Sequence, residues 1–307
     1  MSGPIKFTKL SGSGNDFICI DGRDGRYDRL IEFGQAAHLA QTLCRRGLGI
    51  GADGLIFAQA ADLRPDVKLL ARFFEPDGSE AELCGNGTAC FVYWALAEGW
   101  AKGRVKVLTS AGLVHGQAAA GKYVRVCIPT PRDIKLGLEL SVAGRKWVCD
   151  YIVVGVPHLA AYVEDVGELE VAHWGPLLRR HARFAPRGVN VNFVQVPARG
   201  RLAVRTFEFG VEGETLACGT GSAGSAILAS LRHRWPDEYL CGAKAVRVRV
   251  RGGDVLWVYF TRQADDRVSD VCLETIVRPV CAGSVHPALA AMALGRRPSH
   301  RRAPSRA

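Results

Sequence analysis

The chain of 307 residues exceeds the usual size of one domain and could bury about three quarters of the surface its unfolded form exposes, which predicts two domains. With 48% hydrophobic and 23% charged residues it has a globular composition. No apolar run approaches the roughly 20 residues of a membrane helix, and MSGPIKFTKL lacks the apolar core of an export signal, so a cytoplasmic protein without membrane contact is expected. The net charge of +10 is concentrated at 295–307, GRRPSHRRAPSRA, whose five arginines and lack of any acid leave about +5 on the rest. That segment cannot pack and reads as a disordered tail, not a nucleic-acid-binding surface.

In chain order, apolar and β-branched runs predict strands over 6–10 and 17–21, a helix over 30–43, strands over 55–59 and 67–74, and a helix over 86–98. Strands follow over 105–109, 124–128, 147–154 and 160–163, then a short helix over 177–180. The pattern closes with strands over 191–196 and 202–208, a helix over 219–232, and strands over 246–250 and 255–260. Pro129, Pro131 and Asp133 punctuate the middle, where one half gives way to the other.

Ten cysteines occur and none forms a C-x-x-C pair, so the spacing of structural zinc sites and of thioredoxin-like motifs is absent and no metal is expected. Most should be reduced, several simply buried. Two stand out. DGSEAELCGNGTACFVYWALAEG and EGETLACGTGSAGSAILASLRHR share an acid-Gly start, a Glu, a Cys-Gly-x-Gly and an apolar helical run, placing Cys84 and Cys218 at equivalent points 134 residues apart. A duplicated domain explains the repeat. A chance likeness of two glycine-rich helix starts, with two inert buried thiols, is the plainer alternative.

At such a start, unpaired backbone N–H groups and the positive end of the helix dipole converge near the sulfur. They lower a thiol pKa toward neutrality and hold a carboxylate. Two such cysteines across a cleft could move protons on opposite faces of one carbon beside a carboxylate and so invert a stereocentre, with no cofactor.

On these residues the chain resembles the diaminopimelate epimerase family. SGSGNDF at 11–17, GLGIGADGLI at 47–56, PDGSEAELCGNG at 76–87, PRGVNVNFVQV at 186–196, GVEGETLACGTGSA at 210–223 and RGGDVLWV at 251–258 are similar to its motifs, in its order. Proline racemases and hydroxyproline epimerases also use paired cysteines, but GSGNDF and CGNG fit the diaminopimelate type better.

The resemblance implies an α/β (α+β) fold of two pseudo-symmetric domains, each a curved mixed β-sheet wrapped around a central helix. One would span 1–130, joined by 273–294, and the other 131–272. It implies a homodimer acting on a small amino acid without a cofactor. Carried over, Cys84 and Cys218 are the acid/base pair. Asn15, Asn190 and Glu208 bind substrate, Gly85, Asn86, Gly219 and Thr220 hold the α-carboxylate, and His158 stands close by.

Three departures alter the end of the site that does not react. Glu75 replaces an asparagine, Val156 replaces the asparagine of Gly-Asn-Pro-His, and Phe209 replaces the arginine of a Glu-Arg pair. In the family these positions grip the distal carboxylate and amine of diaminopimelate. An added carboxylate and a lost arginine disfavour a distal anion, while Glu75 and Phe209 suit a cationic or aromatic side chain. The sequence therefore puts first an amino acid such as histidine, diaminobutyrate, ornithine, lysine or arginine. Diaminopimelate itself is the second expectation, and a non-catalytic amino-acid-binding protein the third.

Overall fold

The computed structural model describes residues 3–295 apart from 65, 83, 265 and 266, without the side chains of 62–64. The expected tail beyond Gly295, at 296–307, lies outside the described residues.

The first half contains β1 (Lys6–Gly12), β2 (Asn15–Asp21), α1 (Asp28–Glu32), α2 (Gln35–Leu43), β3 (Gly54–Arg64), β4 (Val67–Phe74), β5 (Glu80–Ala81), α3 (Gly85–Ala97), β6 (Arg104–Thr109), β7 (Gly112–Ala118) and β8 (Tyr123–Cys127). The second contains β9 (Arg132–Val142), β10 (Arg145–Val154), β11 (Val156–Tyr162), α4 (Val171–Arg179), β12 (Asn190–Ala198), β13 (Arg201–Glu208), β14 (Gly213–Thr215), α5 (Gly219–Arg232), β15 (Val246–Val250) and β16 (Val255–Arg262). β17 (Val268–Ser284) and α6 (Pro287–Ala293) follow.

Pairing runs β1–β2–β3–β4–β6–β7–β8–β17 and back to β1, closing a ring around α3. A second curved sheet runs β9–β10–β11–β12–β13–β15–β16–β17 around α5. In both, parallel and antiparallel pairs mix. The architecture is therefore that of mixed, curved sheets wrapped on central helices.

The two helices suit their positions for different reasons. In α3 every residue from Gly85 to Val92 is buried, and Phe91 is fully so, which contributes about 2–3 kcal/mol for that side chain alone. Gly116 of β7 lets α3 approach, since a Cβ there would lie 2.6 Å from Val92 Cγ2. α5 is instead built from small residues. Two of its three buried serines close on their own helix, Ser225 Oγ donating to the Gly221 carbonyl and Ser230 Oγ to that of Ala226, each at 2.7 Å, while Ser222 Oγ has no partner among the described residues.

Several elements depart from the sequence expectations. The predicted helix at 30–43 is broken at Gly34, whose φ of 72° lies in the left-handed region and separates α1 from α2. The helix placed at 177–180 starts at Val171 and contains Pro176. The strand placed at 160–163 begins at Val156. β5, β7, β9, β14, β17 and α6 have no counterpart among the sequence expectations. β9 is mostly exposed and rich in charge, so it carries no clean alternation.

β17 has the largest consequence. The expected junction at 272/273 falls inside this one continuous strand. Its first part pairs with β16, its middle with β8 and its last part with β1, so both sheets share it. Cys127 of β8 and Cys272 of β17, opposed in register, are disulfide-bonded, and the other cysteines are free.

Candidate active site

Cys84 and Cys218 occupy the same local structure. Each is the N-cap of its helix in extended backbone, with φ and ψ of −126° and 116° at Cys84 and −120° and 112° at Cys218. Their carbonyls accept the first helical bonds, from Thr88 and Ser222. At an N-cap the next few N–H groups have no helical acceptor. Cys84 Sγ takes one of them, from Gly87 at 3.4 Å.

The two helix starts meet head to head. A Cβ on Gly85 would lie 3.8 Å from Gly219 Cα and 4.0 Å from Thr220 N, and one on Gly219 would lie 3.3 Å from Asn86 Oδ1. Position 219 is the tight one, since a Cβ there would also lie 3.0 Å from Leu273 Cδ2, whereas the contacts at 85 are ordinary van der Waals distances. Asn86 Nδ2 ties the junction together, donating to Asn15 Oδ1 at 3.0 Å and to the Ala217 carbonyl at 3.2 Å. Its Oδ1 is buried with no partner among the described residues.

Behind Cys218 lies a buried chain of polar groups. Asn192 Nδ2 donates to the Leu159 carbonyl at 3.1 Å, and its Oδ1 accepts from Thr206 Oγ1 at 3.0 Å, which fixes the amide's orientation. The same Nδ2 lies 3.3 Å from His158 Nδ1, so that nitrogen accepts and the proton sits on Nε2. Nε2 then donates to Thr220 Oγ1 at 3.0 Å, leaving the threonine hydroxyl to point its proton at Cys218 Sγ, 3.6 Å away. Burial holds His158 neutral, its pKa pushed down to about 3.

The thiols differ from expectation. Rather than falling toward neutrality, Cys84 is pushed up to about 12, first by burial and then by the Glu75 carboxylate, against the Gly87 N–H. Cys218 is raised by burial and by Glu208, against Thr220 and the Gly221 N–H. Dehydration and two nearby carboxylates outweigh the helix starts, so both sulfurs rest as thiols.

The carboxylates are perturbed too. Burial, then Glu208, Asp77 and Asp53, pushes Glu75 up to about 7. Burial also raises Glu208, offset by the side chains of Thr215 and Cys218. One residue on, Phe209 donates its N–H to Asn190 Oδ1 at 2.7 Å, and its ring is 37% exposed beneath the guanidinium of Arg179 at 4.5 Å.

The structure thus gathers Cys84, Gly85, Asn86, Asn15, Gly219, Thr220, Cys218 and His158 at the helix junction. Glu75 and Glu208 act on the thiols electrostatically, and Asn190 and Phe209 are joined to each other beside Glu208. Sequence reasoning missed Asn192, Thr206, Arg179 and Arg187. Asn192 lies within the quoted PRGVNVNFVQV, two residues after Asn190, and strand alternation would have placed both on one face. No group of His, Cys, Asp and Glu suited to a metal ion exists among the described residues.

Paired thiols at facing helix starts, on two curved sheets, define a cofactor-independent racemase or epimerase, and comparison with known proteins gives the same class. The family model for diaminopimelate epimerase matches residues 7–126 and 151–267. The diaminopimelate epimerase of Aquifex aeolicus is 39% identical over 260 residues, covering 84% of this chain and 90% of its own. That of Methanocella arvoryzae is 41% identical over 248 residues, covering 76% and 85%. A hydroxyproline epimerase from Agrobacterium vitis superposes with a TM-score of 0.71 at 15% identity, covering 93% of both chains, and so shares the fold. The chain belongs to the diaminopimelate epimerase family and is an isomerase.

Proposed function

We propose that this chain inverts the α-carbon of diaminopimelate by proton exchange between two thiols. The observation that carries this reading is the head-to-head meeting of two helix starts, each capped by a cysteine. In it, the α-carboxylate sits on the N–H groups of Gly85, Asn86, Gly219 and Thr220. One cysteine, as thiolate, takes the α-proton while the other, as thiol, gives one to the opposite face. The proton lost and the proton gained balance, and the two sulfurs exchange protonation states. The helix starts stabilise the charge that builds on the carboxylate, and the Thr220 hydroxyl, kept pointing by neutral His158, stabilises a thiolate at Cys218. The ammonium on the reacting carbon, placed near Glu208, offsets the carboxylates that hold the thiols protonated.

Asn15 and Asn190 line the same site in this reading. The two domains, 1–130 with 273–294 and 131–272, close over the substrate and exclude water, and the enzyme works as a cytoplasmic homodimer.

A second reading rests on Glu75 and Phe209: a carboxylate and an aromatic ring suit a basic or aromatic monocarboxylic amino acid, such as histidine or diaminobutyrate. We place diaminopimelate first because relatives of that name cover most of the chain and because two guanidiniums lie over Phe209. Purified, reduced enzyme offered L,L-diaminopimelate, L-histidine and L-diaminobutyrate separately, with chiral analysis of products, decides between them. Inversion of diaminopimelate that Cys84→Ala and Cys218→Ala each reduce by roughly 10³-fold or more is expected. Inversion of histidine or diaminobutyrate with diaminopimelate inert would replace the first reading by the second.

A further inference from the structure

Resting on the diaminopimelate reading, we infer that Arg187 is a specificity-determining residue that pairs with the carboxylate at the substrate end away from the reacting carbon. Two guanidiniums lie over the Phe209 ring, with Cζ 4.5 Å from its centroid for Arg179 and 5.8 Å for Arg187. They are not equivalent. Arg179 is 9% exposed and its Nε lies 2.6 Å from Glu212 Oε1, a carboxylate that Arg180 shares at 2.9 Å. Arg187 is exposed and pairs with no carboxylate among the described residues.

Its position is nonetheless set by the backbone. Gly188, at φ +81°, abuts Arg179 so closely that a Cβ would lie 2.3 Å from Nη1 and 2.7 Å from the carbonyl oxygen. Gly188 N donates to the Phe184 carbonyl at 2.7 Å, and Arg179 Nη1 donates to the Arg187 carbonyl at 3.5 Å. The buried arginine therefore pins the segment that presents the exposed one.

Charge around it points the same way. Arg187 also lines a cavity of about 270 Å³ together with Lys135 and Arg183, whose positive charges attract anions. Glu208 directly precedes Phe209 in the chain, and Glu75 lies near enough to Glu208 for their charges to interact. A substrate whose far end carries both an ammonium and a carboxylate would put the first toward Glu75 and the second on Arg187, with a planar, two-point fit. A side chain that is only cationic would meet Arg187 with repulsion.

Steady-state kinetics of the full chain with L,L-diaminopimelate, comparing Arg187→Ala, Arg187→Lys and Arg249→Ala, the last an exposed arginine on β15, tests this, with circular dichroism showing each variant folded. Arg187→Ala should raise KM roughly 10- to 100-fold with kcat changed less than about 3-fold, Arg187→Lys should recover part, and Arg249→Ala should stay within about 3-fold of the parent. If the parent inverts diaminopimelate and Arg187→Ala keeps its KM, or Arg249→Ala loses as much, the inference is wrong while the substrate reading stands. If the parent ignores diaminopimelate but inverts L-lysine or L-histidine, the substrate reading fails and the inference fails with it.

Discussion

At the scale of single residues, the site is a balance between groups that charge the sulfurs and groups that keep them neutral. The backbone N–H groups and the Thr220 hydroxyl favour thiolate, whereas burial, Glu75 and Glu208 favour thiol. The second set wins, and both thiols are raised. Alkylation of Cys84 by a small neutral reagent should therefore be slow at pH 7 in the ligand-free enzyme and accelerate with pH beyond 10, because its pKa is pushed up to about 12 and only the thiolate reacts. A rate that levels off below pH 8 would contradict this. The same residues show where sequence reading stops. The CGNG and CGTG starts were legible because glycine and cysteine carry the pattern locally. The thiol's ionisation was not, since it depends on carboxylates 9 residues before Cys84 and in the other half of the chain.

At the scale of elements, the two cysteine-capped helices could be predicted because long buried apolar or small-residue runs leave little choice of structure. β7 and β9 could not, because glycines and charges break their alternation, and they hold their places through pairing with neighbours. The close fit between α5 and β12 is similarly a property of the folded chain. A Cβ on Gly221 would lie 2.2 Å from Asn192 Oδ1 and 3.2 Å from Cys218 Sγ. Gly221→Ala should displace Asn192, release His158 and Thr220, cost roughly 1–3 kcal/mol of stability and lower kcat by at least ~10-fold. Parental kcat and thermal midpoint in that variant would show that Asn192 does not hold the chain of hydrogen bonds behind Cys218.

At the scale of the whole molecule, the internal repeat announced two equivalent helices, and the structure sets them nose to nose between two curved sheets. What the repeat could not announce was the shared strand. β17 runs from one sheet into the other, and the residue beyond the disulfide-bonded Cys272, Leu273, has its Cδ2 3.0 Å from where a Cβ of Gly219 would stand. The altered distal residues were legible as departures, yet their meaning was not. Phe209 read as the loss of a cation, whereas the fold brings Arg179 and Arg187 to that ring from segments 30 and 22 residues earlier in the chain.

The central claim, that two separate thiols serve opposite faces of one carbon, is tested most directly by the fate of the α-hydrogen. The enzyme is run in D₂O from L,L-diaminopimelate and sampled early, with deuterium counted separately in remaining substrate and in inverted product. A base on one face and an acid on the other predict product that carries one deuterium at the inverted carbon and substrate that still carries protium. Product that retains the substrate's own protium would mean that a single group moves the proton from face to face, and would contradict the account.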